Sequence, residues 1–252
     1  MKKFISILSA IILCVGVAVP FGNSAKAESI DNKNKDYVEP VSGIEVKILE
    51  DNEVKRVVET TQNGEKTIST YNKLTSEMSI EKNGVNVFEE TISDNINVYD
   101  SNLYAAASVE HPTNPAIRKT VYSLTDSIFD STCKVVRVSY KTTSTTYRMW
   151  TVGIDKKKVT TKKETSKNIG DLQTFKGSVK DIVLLEDEFA AAGGTAYTSV
   201  IVAVMGAAAT VGVATVVGAL TAAGAGITCV GIGVKIYQTR KDQELNYDTI
   251  IH

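Results

Sequence analysis

FAAAGGTAYTSVIVAVMGAAATVGVATVVGALTAAGAGITCVGIGV, residues 189–234, is a run of 46 residues with no charged side chain and no proline, and nearly half of it is alanine or glycine. A hydrocarbon core about 30 Å thick is crossed by roughly 20 apolar helical residues, so the run is long enough for two crossings. The sequence therefore predicts a hydrophobic helical hairpin over residues 189–236, with its turn somewhere between Gly206 and Gly226. The side chains expected among acyl chains are Val200, Ile201, Val202 and Val204 on the first arm, and Val211, Val213, Val216, Val217, Leu220, Ile227 and Ile232 on the second.

The composition qualifies the length. The run holds one leucine and one phenylalanine, and its apolar character is mostly valine, alanine and glycine. Val and Ile favour insertion by only about 0.3 to 0.6 kcal/mol each, and glycine weakens a helix by about 1 kcal/mol relative to alanine. A net preference for lipid that modest suits a segment that is soluble first and inserts later. Small residues recur every fourth position at Ala214, Gly218, Ala222 and Gly226, a stripe along which two helices can pack closely and self-associate in a membrane. The same composition also fits the buried core hairpin of a soluble domain, because periodicity alone does not separate the two.

Working outward, the chain opens with Lys2 and Lys3, continues without charge from Phe4 to Val19, and reaches Ala25-Lys26-Ala27. This is the pattern of a secretory signal peptide over residues 1–27, cleaved after Ala27. Cys14 leaves with it. Cys133 and Cys229 then remain, and outside the cell they either pair, closing a loop worth up to roughly 4 to 5 kcal/mol, or lie free and buried. Neither has the company of a metal or redox site.

Three zones follow the signal. Residues 28–103 are an acidic, β-rich region that also reads as a pro-segment. From Glu28 to Glu110 there are 17 acidic and 8 basic residues. Asn63-Gly64 and Asn83-Gly84 are two-residue hairpin turns, the second setting Lys82 opposite Val85 and Ile80 opposite Val87. Ile44, Val46 and Ile48 alternate as a half-buried strand. Residues 104–116, with Pro112 and Pro115, form a linker that no helix or central strand can traverse and that offers a site for proteolysis.

Residues 117–188 are a basic β-rich region. Lys134 to Lys167 holds 10 basic residues against Asp155 and Glu164. A hairpin centred near Ser144 would pair Val138 with Trp150 and Val136 with Val152. Ser178 to Glu188 then reads as a short amphipathic helix, and residues 237–252 as a polar tail. The fold class is thus α+β, β-rich first and helical last.

The chemistry excludes more than it assigns. His111 and His252 are the two histidines, and no HExxH, GxSxG or P-loop pattern is present, so the reading is a non-enzyme with no catalytic, cofactor-binding or metal site and no cofactor. Tyr140, Tyr147 and Trp150 interleave with basic residues, yet loss of Lys2, Lys3 and Lys26 takes the net charge from −1 to −4. An anionic envelope is therefore favoured over nucleic acid as the partner of the basic zone, a solvated lysine-rich sheet being the plain alternative.

The order of parts resembles the large secreted bacteriocins of Gram-positive bacteria, the geobacillin type. The resemblance lies in the signal Met1 to Ala27, the β-rich middle and the stretch Ala203-Val204-Met205-Gly206-Ala207-Ala208-Ala209-Thr210-Val211-Gly212. The apolar run is also similar in character to the hydrophobic hairpin of pore-forming colicins, whose surrounding helical bundle has no counterpart here. The resemblance implies a secreted antimicrobial toxin, membrane-associated in its active state, that permeabilises a target membrane by pore formation. It leaves room for an immunity protein, to which no residue points. The alternative is a cell-surface binding protein held in the producer's membrane by the same transmembrane helix segment.

Overall fold

A computed structural model describes residues 36–92, 116–140, 145–206 and 212–252. The expected signal peptide, most of the linker and Val211 lie outside the described residues.

The acidic zone is a six-stranded antiparallel meander, β1 (Tyr37–Val38), β2 (Glu45–Asp51), β3 (Lys55–Gln62), β4 (Glu65–Asn72), β5 (Glu77–Lys82) and β6 (Val85–Thr91), each strand bonded to the next. Both expected Asn-Gly turns are present. Asn63 and Asn83 take φ of 53° and 50°, followed by Gly64 and Gly84 at 81° and 79°, the left-handed pair that matches the twist of the flanking strands. Lys82 faces Val85 as the turn dictates. A bulge between Ile80 and Glu81 then slips the register, so Ile80 faces Phe88 rather than Val87.

The basic zone is a second antiparallel sheet, ordered β10 (Val159–Lys163), β9 (Thr146–Gly153), β8 (Thr132–Tyr140), β7 (Ala116–Thr125). The β8–β9 hairpin exists but pairs Val135 with Trp150 and Cys133 with Val152, not Val138 with Trp150 and Val136 with Val152. The run Thr142-Thr143-Ser144-Thr145-Thr146 contains no glycine or asparagine to fix one turn, so the packing of Trp150 and Val152 against the helices sets the register.

Four helices follow, α1 (Ile169–Ala191), α2 (Thr198–Gly206), α3 (Val213–Ala222) and α4 (Ile227–Ile251), with a 3-10 turn at Gly194–Tyr197. The helix expected from Ser178 begins earlier, at Ile169, about two and a half turns before, because Leu172, Phe175, Val179 and Ile182 form one continuous buried stripe. The expected polar tail is the second half of α4. Tyr237, Arg240, Gln243, Tyr247 and Ile250 are buried at helical spacing, a signal obscured by the polar residues between them.

Two cores result. The first joins Ile44, just before β2, and Val46, Val58, Met78, Ile80 and Phe88 of the six-stranded sheet to Val216, Val217 and Leu220 of α3 and to the first half of α4. The second joins Cys133, Val135, Trp150 and Val152 to Leu172, Phe175 and Val179 of α1 and to Tyr247 and Ile250 at the end of α4. The acidic zone is thus one wall of the hydrophobic core that holds the apolar run.

Candidate membrane-inserting segment

The predicted hairpin of two membrane-length arms is not how the run folds. Among the described residues no single helix is long and apolar enough to cross a membrane; one pair, Ile169–Ala191 with Gly194–Gly206, has the length and composition but is bent by 113°. The run divides at the 3-10 turn, before Val213, and again at Gly224, whose φ of 98° closes α3 with a backbone conformation that L side chains rarely adopt.

α3 is the centre of the segment. Ala214 to Ala222 are all buried, so the helix has no polar face and lies between the six-stranded sheet on one side and α2 and α4 on the other. Its contact with the sheet is unusually close. A Cβ placed on Gly218 would lie 2.6 Å from the Ser69 hydroxyl, and one on Gly233 of α4 would lie 2.4 Å from Cδ1 of Leu220. Glycine at these two positions lets sheet, α3 and α4 stack without a gap. Hydrogen bonds pin the same interface: Thr60 Oγ1 donates to the Ala214 carbonyl at 3.1 Å, and the hydroxyls of Tyr37 and Thr221 are 2.8 Å apart.

The stripe Ala214, Gly218, Ala222 is therefore occupied in this fold by β3 and β4 rather than by a second helix in lipid. Gly226 is exposed and stands at the extended N-cap of α4, off the stripe. Of the side chains expected in lipid, Val200, Ile201, Val204, Val216, Val217, Leu220 and Ile232 are buried in the first core; Val213 and Ile227 are half-buried; Val202 is 36% exposed.

The two cysteines do not pair. Both are free and buried, Cys229 in the first core and Cys133 in the second. Burial pushes each thiol up to about 12, so both stay protonated and inert. The spacing of two cysteines in sequence carried no information about which core each would enter.

Sequence reasoning missed a polar clamp that fixes the helices to the second sheet. The turn Asp126–Ser131 between β7 and β8 is held from α1 by Glu186, whose carboxylate accepts from the Ser127 and Ile128 amides at 2.8 and 2.7 Å. From α4, Arg240 Nη1 donates to Ser131 Oγ at 2.7 Å and to Gln243 Oε1 at 2.8 Å, and its guanidinium stacks on Phe129. Asp126 is itself buried and accepts from the Phe129 and Ser131 amides at 2.6 and 3.0 Å. Burial raises the carboxyls of Asp126 and Glu186 and lowers Arg240, each opposed by its hydrogen bonds or nearby charges. Arg240 and Gln243 at i, i+3 in a stretch dismissed as a tail were the available sign.

Among the described residues no group of three or more His, Cys, Asp or Glu side chains could hold a metal ion. No family model, no curated protein and no solved structure matches the chain.

Proposed function

We propose that this is a secreted antibacterial protein of the bacteriocin kind, in which the buried segment from α2 to the start of α4 is a stored membrane-inserting element. The observation that carries the reading is α3, an uncharged helix buried on every side and covered by a separate β-sheet. A helix that is apolar all round suits either a protein core or a bilayer, and its two ends, before Val213 and at Gly224, are natural break points. The acidic zone's sheet covers α3, and in this reading it must leave before the run can meet lipid.

Val216→Asp would test insertion poorly, because Val216 is 1% exposed and a buried carboxylate would unfold the soluble form as well. Val202 serves better. At 36% exposure, Val202→Asp should leave the melting temperature within a few degrees of wild type. The same charge costs roughly 2.5 to 3.5 kcal/mol at mid-bilayer, so release of dye from anionic vesicles should fall by more than tenfold. Equal leakage from both proteins overturns the reading.

The burial of α3 also favours a second reading, in which the run is the permanent core of an exported binding protein. Fluorescent labels at Val202 and Met205 that stay in water or protein when vesicles are added would decide for it.

A further inference from the structure

Resting on the membrane reading above, we propose that the cationic stretch of strands β7–β9, from Ile117, Arg118 and Lys119 across Arg137 to Tyr147 and Arg148, is the face by which the protein first docks on an anionic lipid bilayer. The register places Lys119 opposite Arg137 and Arg137 opposite Arg148, so three cations stand in a row on one face. Like charges directly opposite are destabilising. Among the described ion pairs the row has one carboxylate, Glu164, 3.6 Å from Arg148 at its far end.

Protection of a sheet edge does not account for this row. Lysine on an edge strand discourages strand pairing, but β8 and β9 are the interior strands of the sheet, and Arg137 and Arg148 lie on them, exposed. Arg137, exposed on an interior strand between Lys119 and Arg148 and given no carboxylate among the described ion pairs, is a local rule broken, of the sort that marks a functional surface.

The opposite face of the same strands is also cationic. Arg118 lies opposite Val138, which lies opposite Tyr147; Lys163 Nζ sits 4.7 Å from the Tyr147 ring centre, and the Tyr147 and Tyr140 hydroxyls are 3.2 Å apart. The other end of the sheet is fastened to α1 and α4 by the clamp on Asp126–Ser131.

Two exposed aliphatic side chains choose the occupant. On β7, Ile117 is 54% exposed and Val121, in the bulge between Thr120 and Tyr122, is 48% exposed; Ile117 adjoins Arg118, and Val121 follows Lys119 after Thr120. A soluble polyanion offers nothing to an isoleucine. A bilayer offers phosphates to the cations, an interfacial layer to the tyrosines and hydrocarbon just beneath to the aliphatics.

The test compares co-sedimentation of the full chain with phosphatidylglycerol vesicles and with phosphatidylcholine vesicles. Lys119→Gln/Arg137→Gln should weaken binding to the anionic vesicles by roughly fivefold for each charge removed, and should raise the melting temperature by relieving the row. Lys47→Gln/Lys66→Gln, the same loss of charge on the six-stranded sheet, should bind as wild type does. Ile117→Asn/Val121→Asn should weaken vesicle binding while leaving any retention on polyphosphate or DNA unchanged. Equal losses from the first two variants, or wild-type binding to polyphosphate or DNA with none to vesicles, overturns the proposal. Binding is scored by sedimentation and insertion by dye release, so a protein that docks in this manner without leakage sinks the insertion reading and leaves the docking face standing.

Discussion

At the level of single residues, Gly218 and Ser69 act as a fitted pair. The Ser69 hydroxyl is buried without a hydrogen-bond partner, and the space above it is where a side chain on residue 218 would go. Gly218→Ala should therefore lower stability by about 1 to 3 kcal/mol through overpacking, read as a shift in denaturant midpoint. Ser69→Ala removes an unsatisfied polar atom and should be neutral or mildly stabilising. Combined, the two changes should cost clearly less than Gly218→Ala alone, and strict additivity would mean that the contact is not the cause. The four-residue spacing of small residues was legible in sequence as a packing stripe. Its partner was not, because glycine permits close approach without specifying whether a helix or a sheet approaches.

At the level of elements, the clamp determines how α1 and α4 respond to pH. Burial holds the folded-state carboxyls of Asp126 and Glu186 above their ordinary values. Groups of that kind contribute stability that is fully present below the unfolded pKa, about 4, and is lost as pH rises through the raised folded value. Acidification from neutrality through the raised folded values should thus strengthen the attachment of α1 to the Asp126–Ser131 turn. Glu186→Gln, which keeps an oxygen for the Ser127 and Ile128 amides, should flatten the dependence of melting temperature on pH across that window. A wild type that loses stability on the same acidification through these two groups would contradict the sign. Protonation of these two carboxyls therefore does not by itself loosen this end of the molecule.

The elements themselves were unequally readable. Asn63-Gly64 and Asn83-Gly84 specify their turns through local backbone preference, so those hairpins could be placed. The Thr/Ser turn after Tyr140 has no such residue, and its register follows from packing that sequence alone does not display. Gly170 and Gly177 obscured the early turns of α1, and the charged face of α4 concealed its buried positions.

Across the whole molecule, the two cores are not two independent domains. The zones of charge suggested a boundary between acidic and basic halves, yet the acidic sheet shares its core with the apolar run, and α4 contributes to both cores. A single cooperative transition is expected in calorimetry, with calorimetric and van't Hoff enthalpies in agreement. Tyr247→Ala, although confined to the second core, should cost about 3 kcal/mol or more and shift the one transition without splitting it. Two resolved transitions would mean that the cores melt separately. The α+β class, with strands first and helices last, was readable from the sequence. Whether the apolar run faced lipid or protein was not, since an all-round apolar helix satisfies both.

α4 is 25 residues long, about 37 Å at 1.5 Å per residue, and acts as a common axle for the two halves of the fold. Its first turns wedge Gly231 against the Glu39 carboxylate and Gly233 against Leu220, while its last turns seat Tyr247 and Ile250 some five turns away. Should the neighbouring apolar helix depart and draw those first turns with it, the axle must either fracture near Lys235, the first charge after the neutral run, or wrench its far end from the second sheet. The second route would dismantle both halves together, whereas fracture would free the first half and leave the last turns of α4 seated against the second sheet.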